Sequence, residues 1–215
     1  VPFTVSCFSA MKALYRGDKK EEASIPFDKR RNGFVIGEGA AILILEDLEH
    51  AKKRNAKIYA EIVGYGSNCD AYNMVSPDYK NVTCIKAMKR ALNYANIEES
   101  DISYINAHGT STIMNDKTEA KAINEIFKSR PYVSSTKSMT GHLLSASGAL
   151  EAIITAKALE NEIMPPMINY KEFDSECDLN FVINNAKSNP KMKYAMSNSF
   201  GFGGHNVCLI FKKWE

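Results

Sequence analysis

Residues 101–112 read DISYINAHGTST. Ile102, Tyr104 and Ile105 mark a strand, which runs without a break into a turn built from His108, Gly109, Thr110, Ser111 and Thr112. A helical pattern follows over about residues 116–127, with Glu119, Ala120, Ile123 and Phe127 in register on one face. Strand, small-residue turn and helix form the unit of an α/β fold, and the neighbouring sequence repeats it. Downstream, residues 132–135 predict a short strand and residues 142–160 a helix, which Pro165 and Pro166 close. Upstream, residues 47–55 predict a short polar helix, 58–66 a strand, 67–80 a loop, and 82–94 a helix with Ile85, Met88, Ala91 and Leu92 on one face. Residues 32–46, NGFVIGEGAAILILE, predict a glycine turn leading into a fully buried strand. Strands at 180–183, 194–197 and 206–212 end the chain, the last two joined by the glycine turn FGFGGHN. The fold class is therefore α/β, with a largely parallel buried sheet and an antiparallel pair among the last strands. No repeat or composition shift divides it into domains.

The 215 residues suffice for one sizeable core. With 45% apolar and 24% charged residues the composition is that of a soluble globular protein. Lys and Arg number 27 against 25 Asp and Glu, and the net charge of +2 is spread along the chain. That balance argues against nucleic-acid binding through a strong basic field. No apolar run approaches the roughly 20 residues that span a bilayer, which argues against a membrane partner. Cys7, Cys69, Cys84, Cys177 and Cys208 form no CxxC pair, which predicts reduced thiols. The sequence shows no initiator methionine and no leader-like segment. Its first stretch, VPFTVSCFSAMKALYR, places Phe8, Met11, Leu14 and Tyr15 at helical spacing, which predicts a start inside a fold.

Three segments share one layout, a strand end followed by a small-residue turn: NAHGTST (106–112), SSTKSMTGH (134–142) and SFGFGGHN (199–206). In an α/β sheet the carboxyl ends of parallel strands gather at one edge, so the three turns are expected to meet there. His108 alone is weak, since a single histidine after a strand is more often structural. His142 is expected at a helix N-terminus, where the dipole keeps its ring neutral and able to donate a hydrogen bond. Two neutral histidines aimed at one oxygen would stabilise an enolate, and Lys137 would support that charge or hold a histidine in place. Glu151 lies nine residues after His142, about half a turn round a helix, so on its own it reads as an exposed helix glutamate. Thr110 and Thr112 read either as turn residues or as hydrogen-bonding groups for an amide-bearing ligand. The run SASGA reads as close helix packing. No HxxxH, HxH or Cys/His spacing suggests a metal site, the glycines at 33, 37 and 39 precede a strand rather than join strand to helix, and FGFGG lacks the ending of a phosphate loop.

Together these segments, with PFDKRRNGFVIGEGAAILILEDLEHAKKRNAKIYAEIVGYG, DAYNMVSP and PPMINY, resemble the 3-oxoacyl-acyl-carrier-protein synthases, most closely the synthase II group of type II fatty-acid synthesis. The resemblance covers nearly the whole chain. It implies a thiolase-like fold of which residues 1–215 form the C-terminal half, a mixed sheet covered by helices. The N-terminal half, which holds the nucleophilic cysteine, would be absent. Cys7 stands where relatives carry glycine and is expected to pack rather than react, so the chain alone is expected to be inactive.

For an intact enzyme the resemblance implies decarboxylative Claisen condensation of an acyl-enzyme with malonyl-acyl carrier protein. His108 and His142 would hydrogen-bond the malonyl thioester oxygen, and Lys137 would order the site. Thr110, Thr112, Phe200 and Gly201 would line the substrate arm. The backbone N–H of Phe202 would join an oxyanion hole and its ring would gate the acyl channel. Glu151 would be the family's buried glutamate, and Glu151, Asn106 and Asn198 would be structural or lie beside a bound cation. No dissociable cofactor is implied, since phosphopantetheine arrives on the acyl carrier protein. The implied partners are that carrier protein and a second copy joined through the missing half. The implied compartment is the cytoplasm of a bacterium or the matrix of a plastid-like organelle. Two departures bear on the substrate entrance: Ile113 and Met114 replace the Pro and small residue of many relatives, and Val75 replaces a threonine. The alternatives are a chain-length-factor-like partner that does no chemistry, which needs none of His108, Lys137 and His142, and a polyketide-type condensing domain.

Overall fold

A computed structural model describes residues 2–78, 80 and 82–215 of the chain. In chain order its helices are α1 (Pro2–Ala10), α2 (Leu48–Lys53), α3 (Val82–Ala95), α4 (Ile113–Ile126), α5 (Lys137–Thr140) and α6 (Ser147–Asn161). The strands are β1 (Ala60–Cys69), β2 (Ile102–Asn106), β3 (Tyr132–Ser134), β4 (Ile163–Met164), β5 (Asn180–Phe181), β6 (Lys187–Ser188), β7 (Tyr194–Gly201) and β8 (His205–Lys213). Six strands form one mixed sheet in the order β1-β8-β7-β2-β3-β5. The inner pairs β7/β2 and β2/β3 and the edge pair β3/β5 are parallel, while β1/β8 and the β7/β8 hairpin are antiparallel. The short pair β4/β6, two residues on each strand, stands apart and escaped the sequence reading.

The two-residue period of a strand sends alternate side chains to opposite faces, and here it builds two cores. Ile105, Met196, Cys208 and Ile210 face Met88 and Ala91 of α3 and Ala120 and Ile123 of α4. Tyr104, Ala195 and Phe211 face Ala152, Ala156 and Leu159 of α6. Each fully buried large aliphatic or aromatic side chain contributes about 1.5–3 kcal/mol to holding the layers together. The glycine-rich sequence of β1 brings α3 close: a Cβ on Gly64 would lie 2.6 Å from the Ala91 carbonyl oxygen. Among the described residues no helix is long and apolar enough to cross a membrane.

Four expectations need correction. The buried strand expected within residues 32–46 does not form: no strand among the described residues pairs with residues 40–46, and Ile42, Ile44 and Leu45 are 82%, 82% and 72% exposed. Leu43 alone packs on the α6 core. An apolar run says what must be covered, not that the same chain covers it. The start of the chain is helical only through Ala10, and Leu14 instead makes a parallel bridge to Phe34. Cys7, expected to pack, is exposed, because α1 buries none of its residues. Finally, the helix expected over 142–160 is broken. Gly141, at φ +68°, closes α5, a 3-10 turn spans Leu144–Ala146, and α6 begins only at Ser147.

Candidate active site

The loop after β2 is shaped by carboxylates from the first turns of α4. Asp116 accepts the backbone N–H of Thr110 at 2.9 Å and of Ser111 at 3.1 Å, and also that of Phe27 at 2.8 Å. Glu119 accepts the N–H of His108 at 2.9 Å and of Gly109 at 2.8 Å. Both carboxylates are fully buried. Gly109 sits at φ +34°, and a Cβ there would lie 2.5 Å from the Ser135 Cβ, so only glycine lets the loop lie against the β3 end. Ser135 adds an O–H bond to the Gly109 carbonyl at 2.6 Å. The loop that carries His108 is thus clamped from two sides.

Lys137, at the start of α5, is 1% exposed. Its ammonium donates to the His108 carbonyl oxygen at 2.6 Å and to Glu151 Oε1, and lies 3.4 Å from His108 Nδ1. Three protons meet three acceptors, so Nδ1 of His108 accepts and its own proton rests on Nε2. Glu151 is therefore not an exposed helix residue. It reaches Lys137 because Lys137 comes from a different element, which helix spacing from His142 could not reveal. Burial pushes the Glu151 carboxyl up, and the Lys137 charge and hydrogen bond pull it back.

His142 lies in the turn between α5 and α6. Its N–H donates to the Val35 carbonyl at 2.7 Å, and its carbonyl accepts from Gly37 at 3.0 Å, so the glycine-rich segment read as a strand start holds this histidine instead. Nδ1 of the ring accepts the Leu144 N–H at 3.2 Å and lies 2.9 Å from Ser147 Oγ. An N–H can only donate, so His142 also carries its proton on Nε2. Burial, and then the Lys137 charge, hold the His142 pKa down at about 3. Burial, then Lys137, then His142 hold His108 well below the ordinary histidine range. His142 does not stand at a helix N-terminus as expected, since α6 begins at Ser147, and desolvation is the first cause of both downward shifts.

The two imidazoles stand 5.4 Å apart, centroid to centroid, nearly perpendicular. Phe200 packs edge-on to His108 at 6.2 Å, and Phe34 to His142 at 5.2 Å. Both histidines line a cavity of about 690 Å³. Thr110 and Thr112, whose hydroxyls are 2.9 Å apart, line it too, as do Gly201 and Phe202. Phe202 is 44% exposed at its edge, with its ring 6.2 Å from that of Phe8. Ile113, Met114 and Val75 also border the cavity, so the two departures fall at the site.

The beta-ketoacyl synthase C-terminal domain matches residues 59–171, and the N-terminal domain of the same family matches residues 1–51. The chain belongs to the beta-ketoacyl synthases. It is 50% identical over 216 aligned positions to 3-oxoacyl-[acyl-carrier-protein] synthase 2 of Coxiella burnetii, a match covering 99% of this chain and 52% of that protein. It superposes on a beta-ketoacyl synthase from Burkholderia phymatum with a TM-score of 0.95 at 40% identity, covering all of this chain and 52% of the other. A type II polyketide ketosynthase solved in complex with its acyl-carrier protein gives the same TM-score at 37% identity, with 100% and 53% covered. The fold is thus the thiolase-like ketosynthase fold. The chain spans about half the length of the curated relatives it matches.

Within this synthase fold the three expected segments converge, but Asn198 does not join Glu151 and Asn106. The Asn106 side chain donates to the Glu151 carbonyl at 3.4 Å on the α6 face. Asn198 points to the opposite face, where its amide donates to Glu119 Oε1 at 3.1 Å. The alternation along β7 separates them. Asp116 and Glu119 were missed as site residues, although Glu119 stood in register with Ala120, Ile123 and Phe127. A carboxylate on the apolar face of a helix is the signal that could have found it.

Proposed function

We propose that residues 1–215 are the second half of a 3-oxoacyl-[acyl-carrier-protein] synthase, carrying the decarboxylating and condensing side of the site while the nucleophilic cysteine lies in a first half. The observation that carries this reading is the pair of neutral imidazoles, each with Nδ1 engaged and Nε2–H free for the cavity. An acyl group carried on the cysteine waits as a thioester. When malonyl-acyl carrier protein docks, its thioester oxygen lies between the two N–H donors. Breaking the C–C bond to the carboxylate releases carbon dioxide and leaves the electron pair as an enolate on that oxygen. The two donors stabilise the charge where it develops. The enolate carbon then attacks the acyl thioester, whose oxygen takes the charge beside the Phe202 N–H, and the cysteine thiolate leaves.

The other residues hold the parts in place. Lys137 fixes the His108 tautomer, and Thr110 and Thr112 offer hydroxyls to the phosphopantetheine arm, with Phe200 and Gly201 walling the cavity beside them. No dissociable cofactor is required. Glu151 Oε2 and Asn106 Oδ1 are both buried without a hydrogen-bond partner, on adjoining segments, and would suit a bound monovalent cation with a structural role. The partners are acyl carrier protein and a second copy of the enzyme, in a bacterial cytoplasm or plastid-like matrix.

On this reading none of the five cysteines has this role, so the 215-residue chain incubated with radiolabelled acyl-acyl carrier protein is expected to take up no covalent label. Labelling that Cys7→Ala abolishes would overturn the proposal.

A further inference from the structure

The run SASGA (145–149) carries a hydroxyl that close packing does not require. Ser147 is buried, and its Oγ lies 2.9 Å from Nδ1 of His142. Since that nitrogen accepts the Leu144 N–H and carries no proton, the hydroxyl is the donor. Five residues along a regular α-helix turn through about 140°, which would point His142 and Ser147 to different sides. The broken path makes the contact. Gly141 closes α5, Leu144 adopts a left-handed φ of +53°, rare for leucine, and a 3-10 turn delivers Ser147 to the ring. There Ser147 opens α6 without capping it, because Ala146 holds the cap position and offers no side-chain oxygen. The serine and the imidazole both line the cavity, so their bond lies at the wall that a substrate meets.

Each imidazole thus has a side-chain donor at Nδ1, but the two donors differ. His108 faces the Lys137 ammonium at 3.4 Å, whereas His142 has the neutral Ser147 hydroxyl at 2.9 Å beside the longer Leu144 amide bond at 3.2 Å. Resting on the condensing-enzyme reading, we propose that Ser147 is a positioning residue for the condensation, whose O–H shares the Nδ1 lone pair with the Leu144 N–H, fixes the plane of the His142 ring and keeps its proton on Nε2. A flip of the ring would turn a carbon toward both donors and lose both bonds. A donor at one ring nitrogen also draws electron density from the other, which makes the N–H at Nε2 a stronger donor to a developing enolate.

The test is Ser147→Ala in the full-length synthase. Alanine is the strongest helix former, so the change removes the hydroxyl and leaves α6 intact. Expected is a roughly 3- to 10-fold fall in the condensation kcat, the scale of one neutral hydrogen bond, with acyl transfer to the cysteine unchanged. Nitrogen-15 spectra of the histidine-labelled protein supply a readout that a packing role would not move. The Nδ1 resonance of His142 should shift downfield as it loses a donor, while that of His108, whose donor is Lys137, should stay in place. Condensation at the parent rate, equal loss of acyl transfer and condensation, an unmoved His142 resonance, or equal shifts of both histidines would overturn the proposal. A parent synthase that does not condense would remove the functional reading instead, and the His142 resonance would still decide whether Ser147 holds the ring.

Discussion

Full-length protein carrying His108→Ala is expected to accept the acyl group from its carrier near the unmodified rate and to lose condensation by about 10²–10³-fold, the usual cost of removing one donor from a developing oxyanion. The split follows from where His108 sits. His108 lines the cavity, its Nδ1 is held by Lys137, and its backbone is pinned by Glu119, so alanine removes the ring and leaves the loop anchored. His142→Ala should behave alike. The double variant should lose less than the product of the two, because both donors serve one oxygen. Rates of carbon dioxide release and of acyl-enzyme formation, measured separately, check this. Condensation undiminished in His108→Ala would refute its role.

The largest effect on stability is expected from Lys137→Met. The ammonium and the Glu151 carboxylate are buried against each other, and removing one partner of such a pair costs about 3–5 kcal/mol. The stranded Glu151 carboxyl should then titrate higher still, since burial already pushes it up and Lys137 is what opposes that. Both histidines should shift upward as well, because the same charge depresses them. The combination Lys137→Met with Glu151→Leu should recover most of the lost stability, because an apolar pair of similar volume needs no counter-charge. Urea unfolding reads the stability, and a Lys137→Met protein as stable as the parent would contradict the pairing. Activity should not return in the double variant, since nothing then holds the His108 tautomer.

The strand-turn-helix unit at 101–127 and the convergence of three small-residue turns could be read from local patterns, because each rests on a short-range period. What could not be read depends on contacts across the chain. Residues 40–46 have the composition of a buried strand, but composition names no neighbour, and here Ile42 and Ile44 stay exposed. The run of Gly, Ser and Ala around His142 looked like one helix, because a left-handed glycine at 141 leaves no mark distinguishable from a packing glycine. Spacing alone made Glu151 look exposed, because its partner is fourteen residues away on another element, and only the family resemblance gave it a buried place. Asn106 and Asn198 were both expected to be structural or to lie beside a cation, and the alternation of β7 against β2 sends their side chains to opposite cores.

The proposed reaction requires two imidazoles that stay neutral and present Nε2–H to one oxygen. Nitrogen-15 spectra of the histidine-labelled protein at about pH 5 test this directly, with His108 and His142 assigned from spectra of their alanine variants. An ordinary histidine, with a pKa of about 6.5, is almost wholly imidazolium at that pH. Both rings are predicted to be neutral, with the proton on Nε2 and Nδ1 bare. An imidazolium signal from either ring, or a proton on Nδ1, would contradict the account.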